Sequence, residues 1–272
     1  MKSKALFLDL DGTLLDDSKQ ITAGNMAAIR EALAAGHRII ITTGRPLVSA
    51  IIQAENLQLT GPGCYLIAYN GCIHYDMNAR RVIEASALSL PLVYKVFEEA
   101  GRRGVHIQTY DESKVLVEPR CDNEIVRLYC SRIKMEHSVI PDIRMLKRAP
   151  EKMLLIDLND REPLNQMRDW VLSWGADQLD LYYSSQQYME IVAKGINKGT
   201  AVLRMAEMLG IDYENTYAAG DEANDISMIQ SAHTGIAMAN AIAEAKEAAD
   251  YITENDNNHD GIAEVIHRLI LA

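Results

Sequence analysis

Hydrophobic residues near the start of the chain alternate between short apolar runs and stretches with helical spacing. The run Ala5–Leu10 predicts a buried strand, and the spacing of apolar residues over Ile21–Ala35 predicts a helix. A second strand over Arg38–Thr42, a helix over Leu47–Glu55 and a third strand over Cys64–Tyr69 follow. This order of strands and helices is typical of a parallel sheet covered by helices, and it predicts an α/β fold.

The pattern changes after the turn pair Asn70-Gly71. A short hairpin is predicted over Cys72–Glu84, a helix over Leu90–Gly101, and then a mixture of strands and helices up to Glu190. The strands predicted in this mixture are Val105–Tyr110, Lys114–Glu118, Met153–Leu158, Leu179–Tyr183 and Tyr188–Val192, and the helices are Asn123–Ile133 and Arg161–Trp174. Because this block supplies its own strands, we predict an inserted α+β domain.

The parallel-sheet pattern returns after Gly195. The predicted elements are a helix over Lys198–Leu209, a strand over Thr216–Ala219, a helix over Asp225–Ser231, a strand over Thr234–Met238, a helix over Ala241–Ala248, a strand over Asp250–Thr253 and a helix over Gly261–Leu271. The sequence therefore predicts an outer α/β domain that is interrupted once.

Composition and charge narrow the class of protein. With 272 residues, 48% of them hydrophobic and 24% charged, the chain is an ordinary globular protein of one large or two unequal domains. The formal net charge of −11 argues against nonspecific binding to nucleic acid or to an anionic membrane, although a local basic pocket stays compatible with it.

No targeting or membrane segment is evident in the sequence. It shows neither a secretory signal pattern nor an apolar run long enough to span a bilayer. The four cysteines have no CxxC spacing and are too few for a disulfide scaffold, so we expect isolated thiols in the reducing cytoplasm. They are Cys64, Cys72, Cys121 and Cys130.

Two carboxylates close the first predicted strand. Asp9 and Asp11 are spaced i and i+2, which puts them on the same side of an extended chain, and Gly12 lets the backbone turn away. Two close like charges are unfavourable unless a cation or a shared proton compensates them. The pair indicates a metal site, and the structural alternative is a solvated strand end followed by a turn.

Three other segments carry polar groups suited to a phosphate and a hard cation. They are Thr42–Arg45 after the second strand, Gly195–Gly199 with Lys198 at a helix start, and Gly220–Asp225 with its carboxylates. Each segment also has a structural alternative. Thr42–Arg45 could simply end a strand, Lys198 could be a solvated lysine, and Gly220–Asp225 could be an acidic N-cap. In open α/β sheets, however, ligands bind outside the carboxyl ends of the strands, where three of the four groups fall.

The combination of these segments resembles the haloacid dehalogenase superfamily of aspartate-dependent phosphatases, and most closely its Cof-type sugar-phosphate phosphatases. The matching motifs are Asp9-Leu10-Asp11-Gly12-Thr13 (D-x-D-G-T), Thr43-Gly44-Arg45 (T-G-R), Lys198 within Gly-Ile-Asn-Lys-Gly, and Gly220-Asp221-x-x-Asn224-Asp225 (G-D-x-x-N-D). Lesser landmarks of the family are Asn70-Gly71, Met238-Ala239-Asn240-Ala241 and Asp260-Gly261. The inserted block shows no matching functional residue.

The resemblance implies a Rossmann-like core over residues 1–82 and 193–272, with an α+β cap over residues 83–192 that closes over the site and selects the leaving group. It implies hydrolysis of small phosphorylated metabolites, with sugar phosphates as the expected class, through an aspartyl-phosphate on Asp9. Asp11 would act as general acid and base. We expect a small phosphate monoester as partner, and neither nucleic acid nor membrane.

The resemblance also implies roles for the remaining motif residues. Mg²⁺ would be held by Asp9, the backbone carbonyl of Asp11 and Asp221. Asp225 would be either a further ligand through water or an anchor for Lys198. The positions expected to bind phosphate or substrate are Leu10, Thr43, Gly44, Arg45, Lys198 and Asn224; for Arg45 a structural salt bridge is an equal alternative.

Other functions were weighed against this one. A phosphomutase would use the same aspartyl-phosphate but pass it to a sugar hydroxyl. A noncatalytic phosphometabolite-binding regulator is disfavoured because binding alone does not need the nucleophile Asp9. A dinucleotide-binding dehydrogenase is disfavoured because no G-x-G-x-x-G follows the first strand.

Overall fold

The protein is described over residues 2–272 of a computed structural model. Its strands are β1 Ala5–Leu8, β2 Arg38–Thr42, β3 Cys64–Ala68, β4 Ile73–Asp76, β5 Arg81–Ala85, β6 His106–Tyr110, β7 Val115–Val117, β8 His137–Val139, β9 Lys152–Ile156, β10 Leu179–Ser185, β11 Tyr188–Ala193, β12 Thr216–Gly220, β13 Thr234–Ala237 and β14 Tyr251–Ile252. Its α-helices are α1 Ala23–Ala34, α2 Leu47–Asn56, α3 Leu90–Arg103, α4 Glu124–Ile133, α5 Glu162–Gly175, α6 Lys198–Leu209, α7 Ile226–Ser231, α8 Ala243–Ala248 and α9 Gly261–Val265.

Eight strands form one sheet in the order β14-β13-β12-β1-β2-β3-β4-β5. The pairings from β14 to β3 are parallel, and β3 pairs with β4 in antiparallel orientation. Strand β1 lies between β2 and β12 and is fully buried, as expected for a strand of a parallel sheet covered on both faces. The predicted α/β class with a parallel sheet is confirmed.

Helix α6 covers one face of this sheet. Its residues Val202 and Met205 share a hydrophobic cluster with Phe7 of β1 and Ile40 of β2. The helix begins with a capping box, because the Asn197 side chain accepts a hydrogen bond from the backbone N–H of Thr200 while the Thr200 hydroxyl bonds the Asn197 backbone N–H. This cap sets the first turn of α6 and thereby the position of Lys198, its first residue.

Six strands form a second sheet in the order β10-β11-β9-β6-β7-β8. One face packs against helices α3 and α5 through a hydrophobic cluster that includes Phe97, Met153, Leu164 and Ile191. The short strand β8 was not predicted from the sequence. It pairs in parallel with β7 through backbone groups only, and its three residues are at least partly exposed, so no hydrophobic pattern marks it.

The chain separates into two compact units. The larger one contains the residues up to Gly44, Ala50–Glu84 and Asn197–Ala272, and the smaller one contains Arg45–Ser49 and Ala85–Ile196. The smaller unit holds the six-stranded sheet in full. The assignment of residues 83–192 as a cap domain stays a prediction.

Two further features concern the whole described chain. Over residues 2–272, no helix is both long and apolar enough to cross a membrane. All four cysteines are free and buried.

Candidate active site

The site is built at the carboxyl ends of three adjacent parallel strands, β2, β1 and β12. Thr43, Asp9 and Asp221 each follow the last residue of one of these strands. The backbone N–H of Asp9 continues the ladder by donating to the Ala219 carbonyl at 3.1 Å. The expectation that these groups gather at one edge of the sheet agrees with the strand order.

Lys198 joins two carboxylates in the interior. Its Nζ donates hydrogen bonds of 2.6 Å to Oδ1 of Asp9 and 2.6 Å to Oδ1 of Asp225. The lysine is buried, and its charge stands at the first residue of α6, where it opposes the helix dipole. A buried ammonium in this position is tolerated because both carboxylates compensate it.

Asp225 uses both carboxylate oxygens within the protein. Oδ1 accepts from Lys198, and Oδ2 accepts from the backbone N–H groups of Asp221 and Glu222, each at 3.0 Å. These bonds draw the chain after β12 into a tight loop. Gly220 permits this, because a Cβ there would lie 2.3 Å from Cβ of Asp225.

Asp221 is held by the first motif of the chain. The hydroxyl of Thr13 donates a hydrogen bond of 2.7 Å to Oδ1 of Asp221. Gly12 has φ +87°, and a Cβ at this position would lie 2.3 Å from Oδ2 of Asp221. Glycine is therefore required at position 12 both by backbone conformation and by the close approach of the carboxylate.

The electrostatics of the site are dominated by burial. Burial raises the pKa of Asp9 to about 7, against the charge of Lys198, and the charges of Asp225 and Asp221 raise it further. Burial also raises the pKa of Asp221 to about 6, against its hydrogen bond from Thr13. For Lys198 burial works in the opposite direction, but the charges of Asp225 and Asp9 outweigh it and the net pKa is raised.

The carboxylates of Asp9, Asp221 and Asp225 lie close enough together to surround a hard divalent cation, although Asp225 already uses both of its oxygens in hydrogen bonds. One ligand atom of each lies within 4.8 Å of the others. Three buried carboxylates face one ammonium, so a net charge of about −2 is left when all are ionised. Mg²⁺ prefers oxygen ligands and balances that charge, and the donor set therefore suits it.

Asp11 lies in a more open environment than Asp9. Oδ1 of Asp11 forms an ion pair of 2.8 Å with Nζ of Lys19, and 41% of the Asp11 side chain is exposed. Lys19 has φ +62° in the turn that follows the motif. The sequence did not single out Lys19, because it lies in a polar turn without periodicity.

The remaining predicted positions differ in how they are placed. Thr43 is buried at the end of β2, and a Cβ on Gly44 would lie 2.9 Å from Oδ1 of Asn70. Asn224 is half-buried in the loop before Asp225. The Leu10 side chain is fully buried in the core, so only its backbone is available to a ligand.

Arg45 belongs to the smaller compact unit, unlike the other predicted site residues, which all lie in the larger unit.

Comparisons with known proteins identify the family. The profile of the haloacid dehalogenase-like hydrolase family matches residues 6–266. The putative phosphatase YxeH of Bacillus subtilis is 30% identical, over 99% of each chain.

Solved structures lead to the same family. The crystal structure of a haloacid dehalogenase-like hydrolase from Bacteroides thetaiotaomicron aligns with a TM-score of 0.88 at 29% identity, over 98% of this chain and 100% of that one. The subclass IIB sugar phosphatase BT4131 aligns with a TM-score of 0.82 at 26% identity, over 98% of this chain and 100% of the other. The predicted resemblance is confirmed: the chain belongs to the haloacid dehalogenase-like hydrolase family.

Proposed function

We propose that this protein is a Mg²⁺-dependent phosphatase that hydrolyses small phosphorylated metabolites through an aspartyl-phosphate on Asp9. The enzyme class, a phosphoric monoester hydrolase of the haloacid dehalogenase type, is that of its named relatives. The observation that carries the mechanism is the buried Lys198, which bridges Asp9 and Asp225 at 2.6 Å each. A lysine held in this way orients one carboxylate oxygen and leaves the other for reaction.

Asp9 is the nucleophile in this proposal. Its Oδ1 accepts from Lys198, whereas Oδ2 makes no hydrogen bond to another described residue. An Asp9 oxygen attacks phosphorus, a phosphorus–oxygen bond forms, and the bond to the leaving alkoxide breaks. Lys198 keeps the carboxylate oriented and offsets the negative charge that accumulates as two anions approach.

Asp11 is the general acid and base. In the first step it gives a proton to the leaving alkoxide, and in the second it takes a proton from the water that attacks the aspartyl-phosphate. This role needs a carboxyl group that can reach solvent and exchange protons, and the partly exposed Asp11 side chain supplies one.

The metal would be held by Asp9, the backbone carbonyl of Asp11 and Asp221, and it would offset charge on the phosphate oxygens. We assign Asp225 to anchoring Lys198, because its two oxygens already accept three hydrogen bonds. Thr43, the Gly44 N–H, the Leu10 backbone and Asn224 are the proposed phosphate contacts, with Arg45 as a further substrate contact.

Sugar phosphates are the proposed substrate class. The subclass IIB protein BT4131, to which this chain aligns over 98% of its length, is a sugar phosphatase. We assign selection of the leaving group to the inserted unit, as the family resemblance implies. The free thiols and acidic charge favour a cytoplasmic enzyme that does not bind nucleic acid.

The test is a screen of phosphorylated metabolites at equal concentration with Mg²⁺. Hydrolysis is measured as the release of free phosphate. Asp9→Asn is the matched control, because it keeps the shape of the side chain. We expect turnover of sugar phosphates by the wild type, none by the variant, and loss with EDTA that Mg²⁺ restores. Robust turnover by Asp9→Asn would exclude Asp9 as the nucleophile. Turnover only with an activating bisphosphate would indicate a phosphomutase.

A further inference from the structure

The turn from Asp11 to Leu15 carries much of the proposed chemistry. It contributes the Asp11 carboxyl group, the Asp11 carbonyl and the Thr13 hydroxyl. Within the turn, the backbone N–H of Leu15 donates to the Leu10 carbonyl at 2.8 Å. Its most flexible position is Gly12, which has φ +87° and lacks the Cβ that restricts other residues. Something besides local sterics must therefore fix the peptide planes around Gly12.

Asn257 reaches the end of this turn from the far end of the chain. It lies in the loop after β14, and only 3% of its surface is exposed. Its side-chain Nδ2 donates a hydrogen bond of 3.0 Å to the carbonyl of Leu15. A buried side chain that bonds a buried carbonyl is a strong constraint, because neither group can exchange its partner for water.

Asn240 holds the middle of the turn and is linked to Asn257. Its Nδ2 donates a hydrogen bond of 2.8 Å to the carbonyl of Gly12. Its Oδ1 accepts from the backbone N–H of Asn257 at 3.2 Å. The two asparagines thus form one connected pair, which we call the asparagine clasp, and it contacts the turn at two carbonyls.

We propose that Asn240 and Asn257 are positioning residues that set the orientation of the Asp11 carboxyl and carbonyl groups through the turn. The proposal rests on the function proposed above. The Gly12 carbonyl belongs to the Gly12–Thr13 peptide, which directly follows the Asp11–Gly12 peptide. A hydrogen bond that holds the Gly12–Thr13 peptide plane therefore also limits the orientations of the Asp11–Gly12 peptide. Neither asparagine takes part in the reaction; both act through the backbone that they hold.

Two variants and one control test the clasp. Asn257→Asp keeps the size of the side chain and replaces the Nδ2 donor with an acceptor. Asn240→Ala removes the bond to Gly12 at an exposed position, where folding tolerates truncation. Asn255→Ala is the matched control, since Asn255 is exposed in the same loop and its side chain donates to Glu264 instead of the turn or the clasp.

The measurements separate positioning from simple bracing. We expect kcat to fall by about tenfold to a hundredfold in both variants, because small misplacements of catalytic groups cost that much. KM should change much less, and the Mg²⁺ concentration for half-saturation, measured by calorimetry, should rise. Amide hydrogen exchange at Leu14 and Leu15 should accelerate in the metal-free variants. Asn255→Ala should match the wild type in all four measurements.

Two outcomes would overturn the proposal. Unchanged kcat and Mg²⁺ affinity in folded Asn257→Asp and Asn240→Ala would show that the clasp only braces the loop, whatever happens to the melting temperature. Unchanged hydrogen exchange would show that it does not constrain the turn. If the wild type hydrolyses no phosphate ester, the proposed function fails, while Mg²⁺ affinity and exchange still decide whether the clasp exists.

Discussion

Nζ of Lys198 lies 2.6 Å from Oδ1 of Asp9, inside the protein and away from solvent. The Lys198 side chain is fully buried, and Asp225 binds it from a second direction. The contact joins the first strand of the chain to the first residue of α6. It supplies a compensating charge beside Asp9.

Lys198→Ala should therefore impair both catalysis and stability. We expect kcat to fall by about a hundredfold or more, as on removal of a group that stabilises transition-state charge. The free energy of unfolding should fall by about 3 kcal/mol, since two buried carboxylates lose their partner. Phosphate release and urea unfolding at pH 8 check both effects, with the exposed Lys147→Ala as control. Unchanged turnover would remove Lys198 from the catalytic machinery.

Thr13→Val should weaken metal binding without preventing folding. The substitution keeps the shape of the side chain but removes the hydrogen bond to Asp221. Loss of such an outer partner lowers metal affinity by about tenfold to a hundredfold. Calorimetric titration with Mg²⁺ measures the change. Thr13→Ser, which keeps the hydroxyl, should bind close to the wild type; an equal loss in both variants would contradict the role of the bond.

Metal binding should weaken as the pH falls. The metal-free pKa values of about 7 for Asp9 and about 6 for Asp221 mean that protons compete with Mg²⁺ below pH 7. We expect Mg²⁺ to raise the melting temperature more at pH 8 than at pH 5.5. Asp221→Asn should abolish most of the shift. An equal shift at both values of pH would show that these carboxylates do not hold the cation.

His106 should make the smaller unit sensitive to acid. Burial lowers the pKa of His106 to about 4. The charge of Arg120 lowers this pKa further, whereas the hydrogen bond to Gln108 raises it. In the unfolded chain the imidazole binds a proton below its ordinary pKa of 6.5. The unfolded state thus binds more protons between pH 6.5 and pH 4, and the free energy of unfolding falls over this range, by at most about 3 kcal/mol.

The two tryptophans make this effect measurable. Trp170 and Trp174 both lie in α5, in the same compact unit as His106, so their fluorescence reports on unfolding of that unit. Urea unfolding at pH 7 and at pH 4.5 should show a larger loss of stability for the wild type than for His106→Gln. Equal losses in the two proteins would mean that His106 does not carry the acid sensitivity.

The succession of strands and helices, and the placement of three of the four site segments directly after parallel strands, could be predicted because both depend on short-range patterns. Short buried apolar runs mark β1, β2 and β3, and the polar residues directly after parallel strands fall at one edge by topology. Four of the site positions (Asp9, Asp221, Asp225 and Lys198) come together within hydrogen-bonding or ligand distance.

Other relationships depend on tertiary contacts that leave no periodic trace. The pairing of Lys19 with Asp11 depends on a positive φ at Lys19, and no periodic pattern in that polar turn predicts this backbone conformation. The proposal that Asp225 anchors Lys198 draws on the hydrogen bonds of both its oxygens, which the sequence does not give. The asparagine clasp joins residues at opposite ends of the chain, so no local window of sequence contains it.

The position of β1 between β2 and β12 has a consequence for biosynthesis. Thr13 and Asp221, which bond each other, are 208 residues apart in sequence. While the chain is still being translated, β1 can pair with β2. The pairing of β1 with β12 can form only after β12 has left the ribosome. Asp9 and Asp221, the proposed cation ligands, cannot meet before that moment. A growing chain therefore lacks the proposed active centre until residues beyond β12 have been synthesised.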